Sequence, residues 1–318
     1  MSSLNDFVAV WRSAETYLYR IGGPTIMVIG CFGCIVNLLV FTQKDLRKNP
    51  CSIYFIVYNG ANFLAIFALF LPLTLSIGYH IDPSLRSLDL CRLRLYTSIL
   101  FNCLSPFYLT LISIDRSLVT SPNARTRQLS TRRLAYVCLT IGTVFWLVFH
   151  SHAIIFGTIL QMSPTSFVCY FQRGTYRAFL GYYILLKEVI GLIVMVVCGL
   201  LSIKNVRRLR HVRVAPPVFV SRTVTGVTTN TVTAKDQQLI LMLCLDIVTY
   251  VLFSFMYAAL LVYQQITQYD IKSAELAAIE RVITSLCFFG IGIPYCTSCY
   301  ANLLVSKTFR KELVKIFS

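Results

Sequence analysis

An all-α membrane protein, built as a bundle of seven transmembrane helices, is the fold expected of this chain. Of its 318 residues 56% are hydrophobic and 13% charged, with a mean hydropathy of +0.69. A soluble globular protein carries about 25% charged residues, so a soluble enzyme, a disordered protein and a secreted disulfide scaffold are excluded. Seven apolar stretches each reach the roughly 20 residues that a helix needs to cross about 30 Å of hydrocarbon. The basic residues, 29 against 13 acidic ones for a net charge of +16, crowd into alternate connecting segments.

Residues 1–20 hold Asp6, Arg12, Glu15 and Arg20 and no apolar run. They are expected to form an extracellular amino terminus and not a cleaved signal peptide, so the first span serves as its own insertion signal. The transmembrane domain is expected over 21–305, with spans at 21–42, 53–79, 95–119, 134–160, 178–203, 238–263 and 282–305. The first, second, fourth and seventh contain no charged residue; the third carries Asp115 and Arg116 at one end, the fifth Lys187 and Glu188, and the sixth Asp246. Buried helices of a soluble protein would leave no polar faces for water, and a membrane β-barrel needs an alternation these runs lack. A third cytoplasmic loop is read at 204–236. The last element, 306–318, sets Phe309, Leu313, Ile316 and Phe317 against Lys307, Arg310, Lys311 and Lys315, the pattern of an amphipathic helix lying among inner-leaflet membrane lipids.

The segments 42–52, 115–133, 204–236 and 306–318 hold 19 basic and 4 acidic residues, while the rest of the chain holds 10 and 9. Lys and Arg collect in cytoplasmic loops, so these four segments are read as inside and the amino terminus as outside. That alternation accounts for the charge without nucleic acid as a partner.

Specific residues narrow the fold to a family. Asn37 sits within the first span, Asn49-Pro50-Cys51-Ser52-Ile53-Tyr54 opens the second, and Cys91 precedes Arg116 by 25 residues. Trp146 follows 30 residues later, Cys169 lies between the fourth and fifth spans, and Pro294 lies in the seventh. In this order and at these separations they resemble the rhodopsin-like (class A) family of G-protein-coupled receptors over nearly the whole chain. The Asn-Pro-Cys-Ser-Ile-Tyr segment resembles invertebrate peptide receptors of the FMRFamide-receptor type. The resemblance implies a multi-pass plasma-membrane receptor that is not an enzyme and carries no cofactor. Its partners would be an extracellular ligand, a peptide or small polar molecule such as a neuropeptide, and a heterotrimeric G protein.

Within that frame Cys91 and Cys169, alone among the 12 cysteines on the oxidising side, are expected to form a disulfide; two free thiols are the alternative. Asp115, Arg116, Asp236 and Pro294 are the expected coupling and activation switch. In the family an acid restrains the Arg at rest, and Asp236 falls where a second acid would pair with it; a helix-start acid favoured by the macrodipole is the other reading. Asn37, Asn62, Trp146 and Asp246 are expected polar or landmark positions of the bundle.

Several family features are missing. Asn62 replaces an acid of the second helix, Ile293 precedes Pro294, Thr297 follows it, and the fifth and sixth spans lack proline. No Lys in the seventh span excludes a retinal Schiff base, and no acid between Cys91 and Ile114 excludes the amine counter-ion. The candidate ligand positions are Tyr96, Ser98, Asn102, Tyr183, Lys187, Glu188, Tyr257, Glu280 and Arg281. Lys187 and Glu188 stand about 100° apart on a helix, so only one of them is expected to face the bundle. His150 and His152 are read as too isolated for metal or proton sensing, and no metal site is expected. The Ser and Thr run of the 204–236 loop is a candidate for phosphorylation or a plain polar linker. A seven-helix transporter, or a receptor-like protein that does not signal, is the alternative reading.

Overall fold

In a computed structural model of the chain, residues 2–47, 49–163, 166–172, 174–214, 234–267, 270 and 272–317 are described. The elements are α1 (Ser2–Tyr17), α2 (Gly23–Phe41), α3 (Lys44–Arg47), α4 (Pro50–Leu73), α5 (Leu88–Thr120), α6 (Ala124–Gln128), α7 (Arg132–Phe149) and α8 (His152–Phe156). There follow β1 (Gly157–Ser163), β2 (Ser166–Phe171), α9 (Thr175–Val214), α10 (Ala234–Ile266), α11 (Ala274–Gly290), α12 (Ile293–Val305) and α13 (Lys307–Phe317). Among the described residues seven helical stretches are long and apolar enough to cross a membrane, as the sequence predicts.

Outward-facing side chains agree with a lipid solvent. Only 17% of the most apolar window is buried in the fourth span, and 17% in the fifth. Ile141, Val144, Phe145 and Val148 of α7, and Leu186, Ile190 and Ile193 of α9, are exposed. A water-soluble protein does not leave apolar areas of that extent bare. Inside, Phe41 stacks on Phe55 at 4.8 Å, and Leu104, Leu109, Ile112, Leu243 and Ile247 fill the centre.

Small residues set the closest helix approaches. A Cβ at Gly30 of α2 would stand 2.4 Å from Cys296 Sγ and 2.7 Å from Ile66 Cδ1, so three helices converge where only glycine fits. The seventh span, expected as one kinked helix, is two. α11 ends at Gly290, and Pro294 lies in the first turn of α12, where its missing N–H costs nothing. A Cβ at Gly292 would fall 1.9 Å from the Phe70 ring, which occupies that break.

One local expectation is revised, the end of the fourth span, and two further elements gain detail. From Ser2 onward the amino-terminal segment is helical: α1 passes through a wide turn at Leu18–Gly22 into α2. Tyr19 Oη donates to the Ser285 carbonyl at 3.1 Å and Ser285 Oγ to Glu15 at 2.5 Å, which joins α1 and the turn after it to α11. The fourth span stops at Phe156, and Gly157–Leu160, read as helix, begins an antiparallel hairpin with Ile159 opposite Cys169. On α13 Phe309 is buried at 5.9 Å from the Phe41 ring, and Leu313 and Ile316 pack against the same core. The Ser and Thr run of the 204–236 loop lies outside the described residues.

Candidate functional site

At one end of the bundle α5 carries Asp115 and Arg116, both buried. Arg116 Nη2 and Nε donate to Asp115 Oδ2 at 2.6 and 3.1 Å. The free oxygen of Asp115 accepts from Ser130 Oγ at 2.5 Å, and Arg116 Nη2 also reaches Asn49 Oδ1 at 3.4 Å. Asn49 has a second duty as the cap of α4, taking the Cys51 N–H at 3.0 Å. A guanidinium in a low-dielectric setting needs such a paired set of acceptors. Asp236 lies in the first turn of α10, but its side chain is outside what is described, so the expected second acid has no geometry to report. Beside this end, Gln238 Oε1 of α10 accepts from Ser306 Oγ at 3.0 Å and from the Thr308 N–H at 2.8 Å.

Midway along the bundle polar contacts link five helices. Asn37 Nδ2 donates to Asn59 Oδ1 at 2.6 Å, Asn302 Nδ2 to Asn37 Oδ1 at 3.2 Å, and Ser298 Oγ to Asp246 Oδ2 at 3.1 Å. Ser105 Oγ donates to Asn62 Oδ1. Asn59, Ser298 and Asn302 were not singled out in the sequence, although three more polar residues on apolar helices were a usable signal.

Toward the other end Cys91 and Cys169 form the expected disulfide, with Cα atoms 5.6 Å apart. It ties β2 to the start of α5. Asp82, in the loop before α5, accepts from Arg94 Nη1 at 2.9 Å and from the Ser84 N–H at 3.0 Å. Burial alone would raise its pKa; the Ser84 hydrogen bonds and the Arg94 guanidinium outweigh it and hold the carboxyl below its ordinary range.

Deeper in, the expectation that Lys187 and Glu188 diverge fails. Lys187 Nζ lies 2.7 Å from Glu188 Oε1 and donates to Asn102 O and Oδ1 at 3.1 and 3.3 Å. Tyr250 Oη of α10 donates to Glu188 Oε2 at 2.8 Å. A 100° separation at the backbone is overcome because both side chains are long enough to bend toward each other, and hydrocarbon leaves them no better partner.

The remaining candidate residues separate. Tyr183 Oη bonds His150 Nε2 at 2.9 Å, while His150 Nδ1 lies 2.9 Å from the Trp146 carbonyl. A carbonyl only accepts, so Nδ1 carries the proton and Nε2 accepts from Tyr183. Trp146 stacks on His150 at 5.4 Å, and His152 Nδ1 meets Tyr176 Oη at 2.7 Å, so neither histidine is isolated. Tyr96 Oη donates to the Leu147 carbonyl and Ser98 Oγ to the Ala68 carbonyl, bonds that join helices. Tyr257 is buried against Phe288 at 5.5 Å. Glu280 accepts from Tyr263 Oη at 2.5 Å and pairs with Lys272 at 2.7 Å, whereas Arg281 is exposed and lines a cleft against α1. Among the described residues no three His, Cys, Asp or Glu side chains gather as a metal site would require.

No curated protein is similar enough in sequence to count as a match. The sequence profile of the family described as 7 transmembrane receptor (rhodopsin family) matches residues 33–312. That match spans all seven apolar helices from the middle of the first onward, and the family's members are non-enzymatic receptors of the plasma membrane. The chain therefore belongs to the rhodopsin family of seven-transmembrane receptors.

Proposed function

We propose that the chain takes a ligand at its disulfide end, which faces outside, and passes the signal to a heterotrimeric G protein at the end that holds Arg116. The basic segments gathered at the Arg116 end support this orientation. The observation that carries the coupling role is the buried Asp115–Arg116 pair at 2.6 Å. In this arrangement the guanidinium is neutralised by its neighbour and withheld from a G protein, and activation is the release of Arg116. Asp236 would add a second restraint from α10, and the break before Pro294 gives the seventh span a point at which to bend. Lys187, Glu188, Asn102 and Tyr250 form the polar floor of the ligand site, with Tyr183 and Tyr257 beside it. A peptide or small polar molecule, a neuropeptide among them, is the ligand class such a floor suits. Tyr96 and Ser98 serve helix packing.

Nucleotide exchange on purified G-protein heterotrimers, driven by the chain in lipid nanodiscs without ligand, tests the reading. Asp115→Asn and Asp236→Ala should raise basal exchange several-fold, and Arg116→Ala added to either should return it to background. Exchange by Asp115→Asn no faster than by the unsubstituted chain, in preparations with equal unfolding midpoints, would overturn it.

A further inference from the structure

Between α1 and α11 lies a cleft of about 260 Å³ that none of the family landmarks occupies. Val8, Trp11, Ala277 and Val282 give it apolar walls. Phe7 packs on the Trp11 indole edge to face at 5.9 Å. Arg12 on α1 and Arg281 on α11 also line it, and both are exposed. Among the described residues neither guanidinium has a hydrogen-bond or ion-pair partner. Among the described residues Glu15 is the one acid of the lining; it is 8% exposed and already accepts from Ser285 Oγ. Glu280, next to Arg281 in sequence, is held by Lys272 and Tyr263. The cleft thus presents two unneutralised cations at its rim, an aromatic wall and a buried acid turned toward α11.

We propose that this cleft binds a carboxylate attached to an apolar group, as found at the C-terminal residue of a peptide. Arginine matches a carboxylate with two parallel donors. Two guanidiniums repel a cation, and a neutral amide forgoes the charge-assisted bonds. The volume falls just short of the roughly 300–1,000 Å³ of sites that enclose a whole small ligand, so the cleft takes one residue and leaves the rest of its bearer outside. The apolar group lies against Trp11, and the carboxylate stays at the rim with Arg12 and Arg281, away from Glu15. Because α1 leads directly into α2 and touches α11, occupancy links the first and seventh spans from beyond the bundle. The site rests on the orientation proposed above, but its test reads binding and not signalling, so the two readings fail separately.

The chain has two tryptophans, so Trp146→Phe leaves Trp11 as the sole indole. In phosphatidylcholine nanodiscs, N-acetylphenylalanine should change Trp11 emission saturably and its carboxamide should not. Arg12→Gln with Arg281→Gln should weaken the acid at least about tenfold, the loss of one charge-assisted hydrogen bond. Saturation-transfer NMR of the same acid on the unsubstituted chain supplies the reading without the Trp146 change. Equal responses to acid and amide, an unchanged affinity in the double Arg variant, or no saturable response by either method would overturn the proposal. So would a response to phosphatidylglycerol in the nanodisc with none to the soluble acid, which would assign the cleft to lipid.

Discussion

Asp115–Arg116 and Lys187–Glu188 are both adjacent residues on one helix, with contacts of 2.6 and 2.7 Å. Their surroundings differ. Among the described residues the first pair is joined by Ser130 and Asn49, which stand in the turns where α7 and α4 begin. The second is completed by Asn102 of α5 and Tyr250 of α10, and so joins three spans inside the bundle. The described partners of the first pair stand at the ends of spans; those of the second stand within them, so the second pair can be separated only by moving spans apart. Under the proposed coupling, the same chemistry makes a releasable contact at one depth and a structural tie at another.

The sharpest way to break this contrast is to strand one member of the inner pair. Lys187→Met leaves Glu188 buried beside Tyr250 without its cation, and removing one partner of a buried pair costs about 3–5 kcal/mol. Thermal unfolding in detergent should show that loss, and Lys187→Met with Glu188→Gln should recover most of it. A single variant as stable as the unsubstituted chain would mean that the tie is not there.

A smaller effect is expected at the other pair. Ser130→Ala removes one donor to the Asp115 carboxylate, and a hydrogen bond to a charged group contributes about 1.5–3 kcal/mol. Ser130 is only partly buried, so water replaces part of it and the lower figure applies. The sign that matters is functional: basal nucleotide exchange should rise, whereas Tyr250→Phe at the inner pair should change stability more than exchange. The reverse ranking would exchange the roles of the two pairs.

The least change is expected at Asp82, a rim pair that contributes about 0.2–1 kcal/mol. Its carboxyl titrates lower in the folded chain than in the unfolded one. Its contribution is therefore full above the ordinary carboxylate pKa of about 4 and is lost as pH falls through the lower folded value. The difference in unfolding midpoint between the unsubstituted chain and Arg94→Gln should be constant near neutrality and shrink below about pH 4. A difference that persists unchanged into acid would remove Asp82 from the account.

Long apolar runs made the spans legible in the sequence, because only a helix satisfies every backbone group in hydrocarbon. Cys91 and Cys169 were legible because the orientation read from the loop charges singles them out among the 12 cysteines. α1 was not: its apolar side chains are interleaved with Asp6, Arg12 and Glu15, and it is covered by α11, a contact between residues some 270 positions apart. Nor was the hairpin at Gly157–Phe171, whose first strand continues the apolar run of the fourth span without a charge or proline to mark the change. Asn49 reads as a helix cap, which it is; its second bond, to Arg116, depends on a neighbour 67 residues away. Lys187 and Glu188 were misread because helical angle describes where side chains start, not where flexible ones end.

Gln238 gives α10 and α13 a shared fate. Its Oε1 serves the first N–H groups of α13 alongside Ser306, whose own Oγ takes the Phe309 N–H at 3.1 Å. Carrying the near end of α10 away from the bundle would withdraw that acceptor and leave the start of α13 with one fewer cap, a loss of about 1 kcal/mol. Displacing the sixth span thus frays the terminal helix, and a spectroscopic probe on Thr308 would register movement of α10 without being attached to it.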